Sequence, residues 1–192
     1  MEACLDNLVF IPETHEYRYN DMVVPSVSAI IRRFFTPPLN KNGMELGTYV
    51  HDTVRLWLDN NLNVETLSPG LSDYLQQFQA FVAATAFKVE GHDVPFYHPL
   101  LKYAGTPDLW GAMNTHRLVI DIKTGDPQKW HQLQVAAYAS LLAANGLAPE
   151  CAALLYLSPS SHRLVVLQRG AAEEAATIWI AIRRLYTWAE GI

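Results

Sequence analysis

Asp108, Asp121 and Lys123 are the residues around which this sequence can do chemistry. Asp121 and Lys123 lie two apart in the apolar run Leu118-Val119-Ile120-Asp121-Ile122-Lys123. In a strand, residues i and i+2 share a face, so both charged side chains leave the sheet on the same side, at the strand's end. Asp108, thirteen residues earlier in Gly105-Thr106-Pro107-Asp108, is spaced for a hairpin partner that sets its carboxylate beside Asp121. Two carboxylates that close repel unless a cation lies between them. A hard divalent ion with oxygen ligands, Mg²⁺ or Mn²⁺, suits the pair. Lys123 would hold a water or a phosphate oxygen next to it. The set fits hydrolysis of a phosphodiester, in which the ion activates water and offsets the charge on the phosphate. The bland alternative is an edge hairpin with solvated Asp and Lys, which Asp-x-Lys alone would not exclude.

Two helices must bring further groups to this point. Leu46, Val50, Val54 and Trp57 recur at helical spacing and predict a helix over Met44 to Leu58, with His51 inside it. A histidine on a helix is more often a surface or core residue than a ligand. A second helix is predicted from Gln128 to Asn145, after Thr124-Gly125-Asp126-Pro127. Gln134 and Tyr138 are four apart and share one face, with His131 one turn before Gln134. That face looks onto the end of the Asp121 strand. Gln134 and Tyr138 then either touch a phosphate and the attacking water's network or cap a core edge.

Pro107-Asp108…Asp121-Ile122-Lys123 resembles the signature of the PD-(D/E)xK nuclease superfamily. Gln134-Val135-Ala136-Ala137-Tyr138 is similar to the Gln-x-x-x-Tyr motif of its RecB-type branch, and Gly47-Thr48-Tyr49-Val50-His51 to that branch's Gly-x-x-x-His helix. His15-x-Tyr17 followed by Pro25-Ser26-Val27-Ser28 resembles the opening of its phage exonuclease members. Each motif is weak singly, and their order over roughly residues 43 to 140 is what makes the signal specific. The resemblance implies that His51, Asp108, Asp121 and the Ile122 carbonyl bind one or two Mg²⁺ or Mn²⁺ ions. It implies that Lys123 orients water and stabilises charge, and that Gln134 and Tyr138 position DNA. Glu90 matches an acid that precedes the Pro-Asp strand in the family and helps hold the metal or its water. The implied activity is a metal-dependent DNA exonuclease acting on linear single- or double-stranded ends in phage or bacterial recombination or repair. A single-strand annealing or recombination protein is the partner such an enzyme would take. Two alternatives stay open: an endonuclease using the same site, and a non-catalytic DNA-binding or scaffolding subunit. Retention of Asp108, Asp121 and Lys123 together argues against the second.

Composition bounds these readings. A length of 192 residues favours one domain with its own core. Hydrophobic residues at 50% and charged residues at 17% are an ordinary globular balance. No apolar run reaches spanning length and no charged-then-apolar leader opens the chain, so a cytoplasmic protein with no membrane partner is expected. Two cysteines, Cys4 and Cys151, support neither a disulfide framework nor a zinc cluster. They also exclude the four-cysteine iron–sulfur cluster that some relatives carry. The net charge of −5 is awkward for a DNA enzyme, whose affinity draws on Lys and Arg, so the 14 basic residues must be unevenly placed. Arg32-Arg33-Phe34-Phe35-Thr36-Pro37-Pro38…Lys41 is the one basic-aromatic cluster. It is either a helix end whose arginines complement the dipole or a rim that grips phosphates and stacks a base.

The remaining elements follow from pattern. Short strands are predicted at 8–11, 17–19 and 22–24, with Asn20-Asp21 as a turn, then a helix from Ser26 or Ser28 to about Phe34. A helix over Leu71 to Phe87 follows the break at Ser68-Pro69-Gly70. A strand opens at Lys88 and continues past Gly91-His92 toward Tyr97. Leu101 to Trp110 and Arg117 to Lys123 form the hairpin, turning at Asn114-Thr115-His116. Strands at 152–157 and 163–168 and a helix over 171–189 close the chain. The expected fold is a single α/β domain, a mixed central β-sheet flanked by helices with a restriction-endonuclease-like core. Strands and helices fill 1–87 and the catalytic core 88–192.

Overall fold

The computed structural model describes residues 7–36 and 41–191, with only the backbone described at 41 and 42. Cys4, Pro37, Pro38 and the Lys41 side chain, all named above, lie outside the described residues. Three short strands, β1 (Leu8–Ile11), β2 (Glu16–Tyr19) and β3 (Met22–Val24), form an antiparallel sheet of their own. Asn20 and Asp21 turn β2 into β3 with φ of 49° and 64°, as a type I′ turn requires. Ser26 caps α1 (Val27–Phe34), its hydroxyl accepting from the Ala29 amide at 3.0 Å. Next come α2 (Lys41–Leu58) and α3 (Pro69–Thr85), the second entered through Ser68 with proline in its first turn.

The rest of the chain supplies β4 (Lys88–His92), β5 (Phe96–His98), β6 (Tyr103–Gly105), β7 (Leu109–Met113) and β8 (His116–Lys123). Then follow α4 (Lys129–Ala144), β9 (Cys151–Ser158), β10 (Ser161–Val166) and α5 (Arg169–Glu190). The central sheet has the order β10-β9-β8-β7-β4. Within this sheet β8 and β9 pair parallel and the other neighbours antiparallel, and a parallel pair needs a crossover, which α4 provides.

Alternation along β8 sorts the layers. Leu118, Ile120 and Ile122 share a core with Val50 and Val54 of α2 and with Phe78 and Phe81 of α3. Val119 shares the opposite core with Leu133, Ala137 and Leu141 of α4, Ile30 of α1 and Trp179 of α5. Each fully buried side chain of this kind contributes about 1.5–3 kcal/mol relative to exposure. The result is the expected α/β architecture, a mixed sheet between helical layers. Among the described residues no helix is long and apolar enough to cross a membrane.

Two expected strands are split. The run from Lys88 toward Tyr97 breaks at Asp93, φ 51°, into β4 on the central sheet and β5, which pairs with β6 apart from it. The expected strand Leu101 to Trp110 breaks at Thr106-Pro107-Asp108 into β6 and β7. Pro107 has no N–H for a ladder and restricts Thr106 before it. Asp108 therefore sits on a bend just before β7 rather than within a strand. The β7–β8 hairpin turns on Asn114 and Thr115 alone, with Met113 opposite His116.

Candidate functional site

The candidate residues meet at the C-terminal end of β8, where the α2 and α4 layers come together. Asp121 is wholly buried and lies on the α4 face with Lys123. The Lys123 ammonium is 2.5 Å from Asp121 Oδ2 and donates to Gln134 Oε1 at 3.1 Å. Gln134 Nε2 donates in turn to the Tyr138 hydroxyl at 3.1 Å. The i, i+2 pair of a strand and the i, i+4 pair of a helix thus form one chain of polar contacts.

Asp108 arrives from the bend before β7. Its Oδ2 accepts from the Ile122 amide at 2.7 Å, which pins the carboxylate to the end of β8. His51 arrives from α2 on the other layer. Its Nδ1 is 3.3 Å from Asp108 Oδ1, and its Nε2 is 3.1 Å from the Ile122 carbonyl oxygen. The ring bridges two of the groups that the sequence resemblance names as ligands.

The electrostatics separate the two carboxylates. Burial raises the Asp121 carboxyl to about 6, with the Asp108 charge adding to the rise and Lys123 opposing it. Burial also pushes Asp108 upward, but His51, Lys123 and the Ile122 amide outweigh it and hold Asp108 below the usual carboxylate range. His51 is raised despite burial, because Asp108 and Asp121 favour the imidazolium. A protonated His51 can donate from one nitrogen to Asp108 and from the other to Ile122.

The donor set fits a hard divalent ion. Asp121 Oδ2 is paired with the Lys123 ammonium, whereas Asp121 Oδ1 is buried with no hydrogen-bond partner. A buried carboxylate oxygen in that state is costly, and a cation would satisfy it. Two carboxylates, a main-chain carbonyl and one imidazole are ligands that Mg²⁺ or Mn²⁺ accepts. Among the described residues no three His, Cys, Asp or Glu side chains are already gathered around a common metal position.

Other groups reach the site that sequence reasoning did not place there. Asp93, at the break after β4, has its carboxyl raised by burial and by Asp108 against the pull of Arg55, whose Nε is 3.3 Å away. With His51, Arg55, His92 and Asp108 it lines a small cleft of about 50 Å³. Tyr17 of β2 comes in from the N-terminal sheet. Its hydroxyl is 2.8 Å from Thr106 Oγ1, and burial, Asp93 and Asp108 push its pKa up to about 12. Both depend on contacts distant in sequence. The His15-x-Tyr17 motif was the one signal for the second.

Three sequence candidates are not brought to the carboxylates. Glu90 sits at a bulge in β4, with its carboxylate 3.5 Å from Arg117 Nε. Arg33 pairs with Glu190 at 3.2 Å, and Arg32 reaches Ser28 Oγ at 3.5 Å. Both arginines are exposed in the last turn of α1, while Phe34 and Phe35 beside them pack onto the core.

No family model and no curated protein matches the sequence. Among solved structures, the chain is similar to an alkaline exonuclease, LHK-Exo, from Laribacter hongkongensis, at 12% identity and a TM-score of 0.34. That match covers 86% of this chain and 93% of that one. It is also similar to LHK-Exo in complex with dAMP, at 12% identity and a TM-score of 0.37, covering 87% of this chain and 89% of that one. Function is read from the site's own geometry.

Proposed function

We propose that this chain is a divalent-metal-dependent nuclease that hydrolyses phosphodiester bonds of DNA, working from linear ends. The observation that carries the reading is Asp121, a wholly buried carboxylate with Oδ1 unpartnered and Oδ2 paired with Lys123, close to Asp108. A structural salt bridge alone would not place a second acid and a histidine against the same strand end. His51, Asp108, Asp121 and the Ile122 carbonyl would hold the ion, which would acidify a water and offset charge on the scissile phosphate. Lys123 presents its ammonium to that water or to a non-bridging phosphate oxygen. Gln134 fixes the ammonium from the helix side, and Tyr138 fixes Gln134. Together they orient the Lys123 ammonium. The motif resemblance supports end-directed action and a role in phage or bacterial recombination or repair.

The test is cleavage of end-labelled linear single- and double-stranded DNA and of a closed circle, with Mg²⁺, Mn²⁺ or EDTA. Lys123→Ala and Asp108→Asn are run alongside. Metal-dependent loss of the linear forms alone is expected, slowed at least about 100-fold in either variant, on the scale of losing one group that stabilises developing charge. Cleavage of the circle would replace the exonuclease reading with an endonuclease. Undiminished activity in either variant would overturn the site.

A further inference from the structure

We propose that Lys123, Trp130, Tyr156 and Arg163 form a track for a single strand of nucleic acid, on which Trp130 stacks an unpaired base beside the carboxylates. The proposal rests on the nuclease reading of Asp108 and Asp121 for where the track begins, and on separate observations for the track itself.

Strand register builds it. Lys123 of β8 lies opposite Tyr156 of β9, and Tyr156 opposite Arg163 of β10. The three therefore form one row on one face, with about 5 Å between neighbouring strands. The first turn of α4 lies over that row. The Trp130 ring centroid is 5.8 Å from Lys123 Nζ, and the indole meets His131 edge-on at 4.2 Å. His131 Nδ1 is 3.1 Å from the Tyr156 hydroxyl, and the Arg163 guanidinium lies 4.9 Å over the Tyr156 ring. Cations thus stand at both ends and rings lie between them.

The charges fit that reading. Burial lowers His131 to about 3, with Lys123 adding to the effect, so the imidazole is a neutral aromatic spacer. Arg18, Arg33, Arg55, Arg117 and Arg169 are all tied to carboxylates. Arg163 is exposed and has no carboxylate partner among the described residues, so its charge is available to a phosphate. Trp130 is partly exposed at the start of α4, with the rest of its ring packed against the core. Base–aromatic stacking needs a free π-face, which a single strand offers and a stacked duplex does not.

The experiment is fluorescence-anisotropy titration, in EDTA, of a labelled single-stranded oligothymidylate and of a duplex of equal length. The full chain is compared with Trp130→Ala, Trp130→Phe and Arg163→Ala. Single-strand affinity is expected to fall at least about 5-fold in Trp130→Ala, the low end for one lost stack, and to be largely retained in Trp130→Phe. Arg163→Ala is expected to weaken single-strand binding and to lower the slope of log K against log salt by about 0.7, one phosphate contact, whereas Trp130→Ala leaves that slope unchanged. Arg163 is exposed, so its variant stays informative even if Trp130→Ala unfolds. Unchanged single-strand affinity in folded Arg163→Ala, or equal losses on single strand and duplex, would overturn the track. The measurement needs no metal and no cleavage, so it can fail while the nuclease reading stands. Weakened single-strand binding in a protein that cuts no DNA would keep the track and sink the nuclease.

Discussion

Asp121 and His51 both hold protons more tightly in the folded chain than they would in water, for different reasons. For Asp121 the cause is burial, which raises the carboxyl to about 6. For His51 it is the neighbouring Asp108 and Asp121 charges, which overcome burial. A group with a raised folded pKa stabilises the fold below its unfolded value, and that stabilisation is lost as pH rises through the folded one. Asp108 runs the other way, since its lowered pKa adds stability that disappears only in acid. Between about pH 5.5 and 8 the two raised groups dominate, so the metal-free chain is expected to lose stability as pH rises through that range. Asp121→Asn removes the buried charge. It is expected to raise stability at pH 8 by about 1–3 kcal/mol, an order-of-magnitude figure for a shift of about two units, or roughly 2–10 °C in Tm for a chain of this size. Mn²⁺ is expected to raise the wild-type Tm at pH 8 and to leave that of Asp121→Asn nearly unchanged. Thermal melts at pH 5.5 and 8, with and without Mn²⁺, check both statements. A lower Tm for Asp121→Asn at pH 8 would show that the carboxylate is a stabilising partner of Lys123 rather than a strained ligand.

At the scale of elements, the site depends on how closely α4 and α1 approach β6, and Gly105 sets that distance. A Cβ there would lie 2.9 Å from Val27 Cγ2, 3.0 Å from Tyr138 Cε1 and 3.1 Å from Leu141 Cδ1. Gly105→Ala crowds Val27, Tyr138 and Leu141, and it is expected to destabilise by about 1–3 kcal/mol, as overpacking does, and to slow cleavage. Gly47 is the contrast. It opens the Gly-x-x-x-His motif of α2, yet a Cβ there meets only Thr124 Oγ1, at 3.4 Å, an ordinary contact. Gly47→Ala, inside α2, is expected to stabilise by up to about 1 kcal/mol through helix propensity alone. Denaturant melts of the two variants decide it, and a destabilised Gly47→Ala would mean that α2 needs its glycine after all. The same elements show what the sequence could disclose. The Asp121–Lys123 and Gln134–Tyr138 pairs were legible because each is fixed by the period of one element. The breaks at Asp93 and Pro107 were not, because the apolar pattern runs through both. Pro107 was the available warning that Asp108 would sit on a bend. Asp93 and Tyr17 reach Asp108 through tertiary packing that no local period encodes, and the β4 bulge with Arg117 takes Glu90 elsewhere.

The whole molecule carries a net charge of −5, and its ion pairs show how that charge is spread. Arg33 on α1, Arg55 on α2, Arg18 on β2, Arg117 on β8 and Arg169 on α5 are neutralised by nearby carboxylates, Arg55 by Asp52, Asp59 and Asp93 together. The charge of those five arginines is therefore not available to lie along a duplex backbone, where six to ten phosphate contacts would give a steep salt dependence. Near the site, Arg163 is exposed with no carboxylate partner among the described residues and Lys129 is exposed at the start of α4, while Lys123 would meet phosphate by sharing its ammonium with Asp121. Two or three contacts on a single strand correspond to a slope of log K against log salt of about −1.4 to −2. Raising salt from 50 to 200 mM is thus expected to weaken single-strand binding only about 10-fold, against the roughly 1,000-fold or more of an extended basic surface. Anisotropy titrations at four or five salt concentrations measure the slope directly. A value near −2 or shallower would mean that affinity comes mainly from stacking and, when the ion is present, from the carboxylate site. A slope steeper than about −5 would mean that a broad basic surface carries the DNA, and the search for it would begin at Arg32 and Lys41.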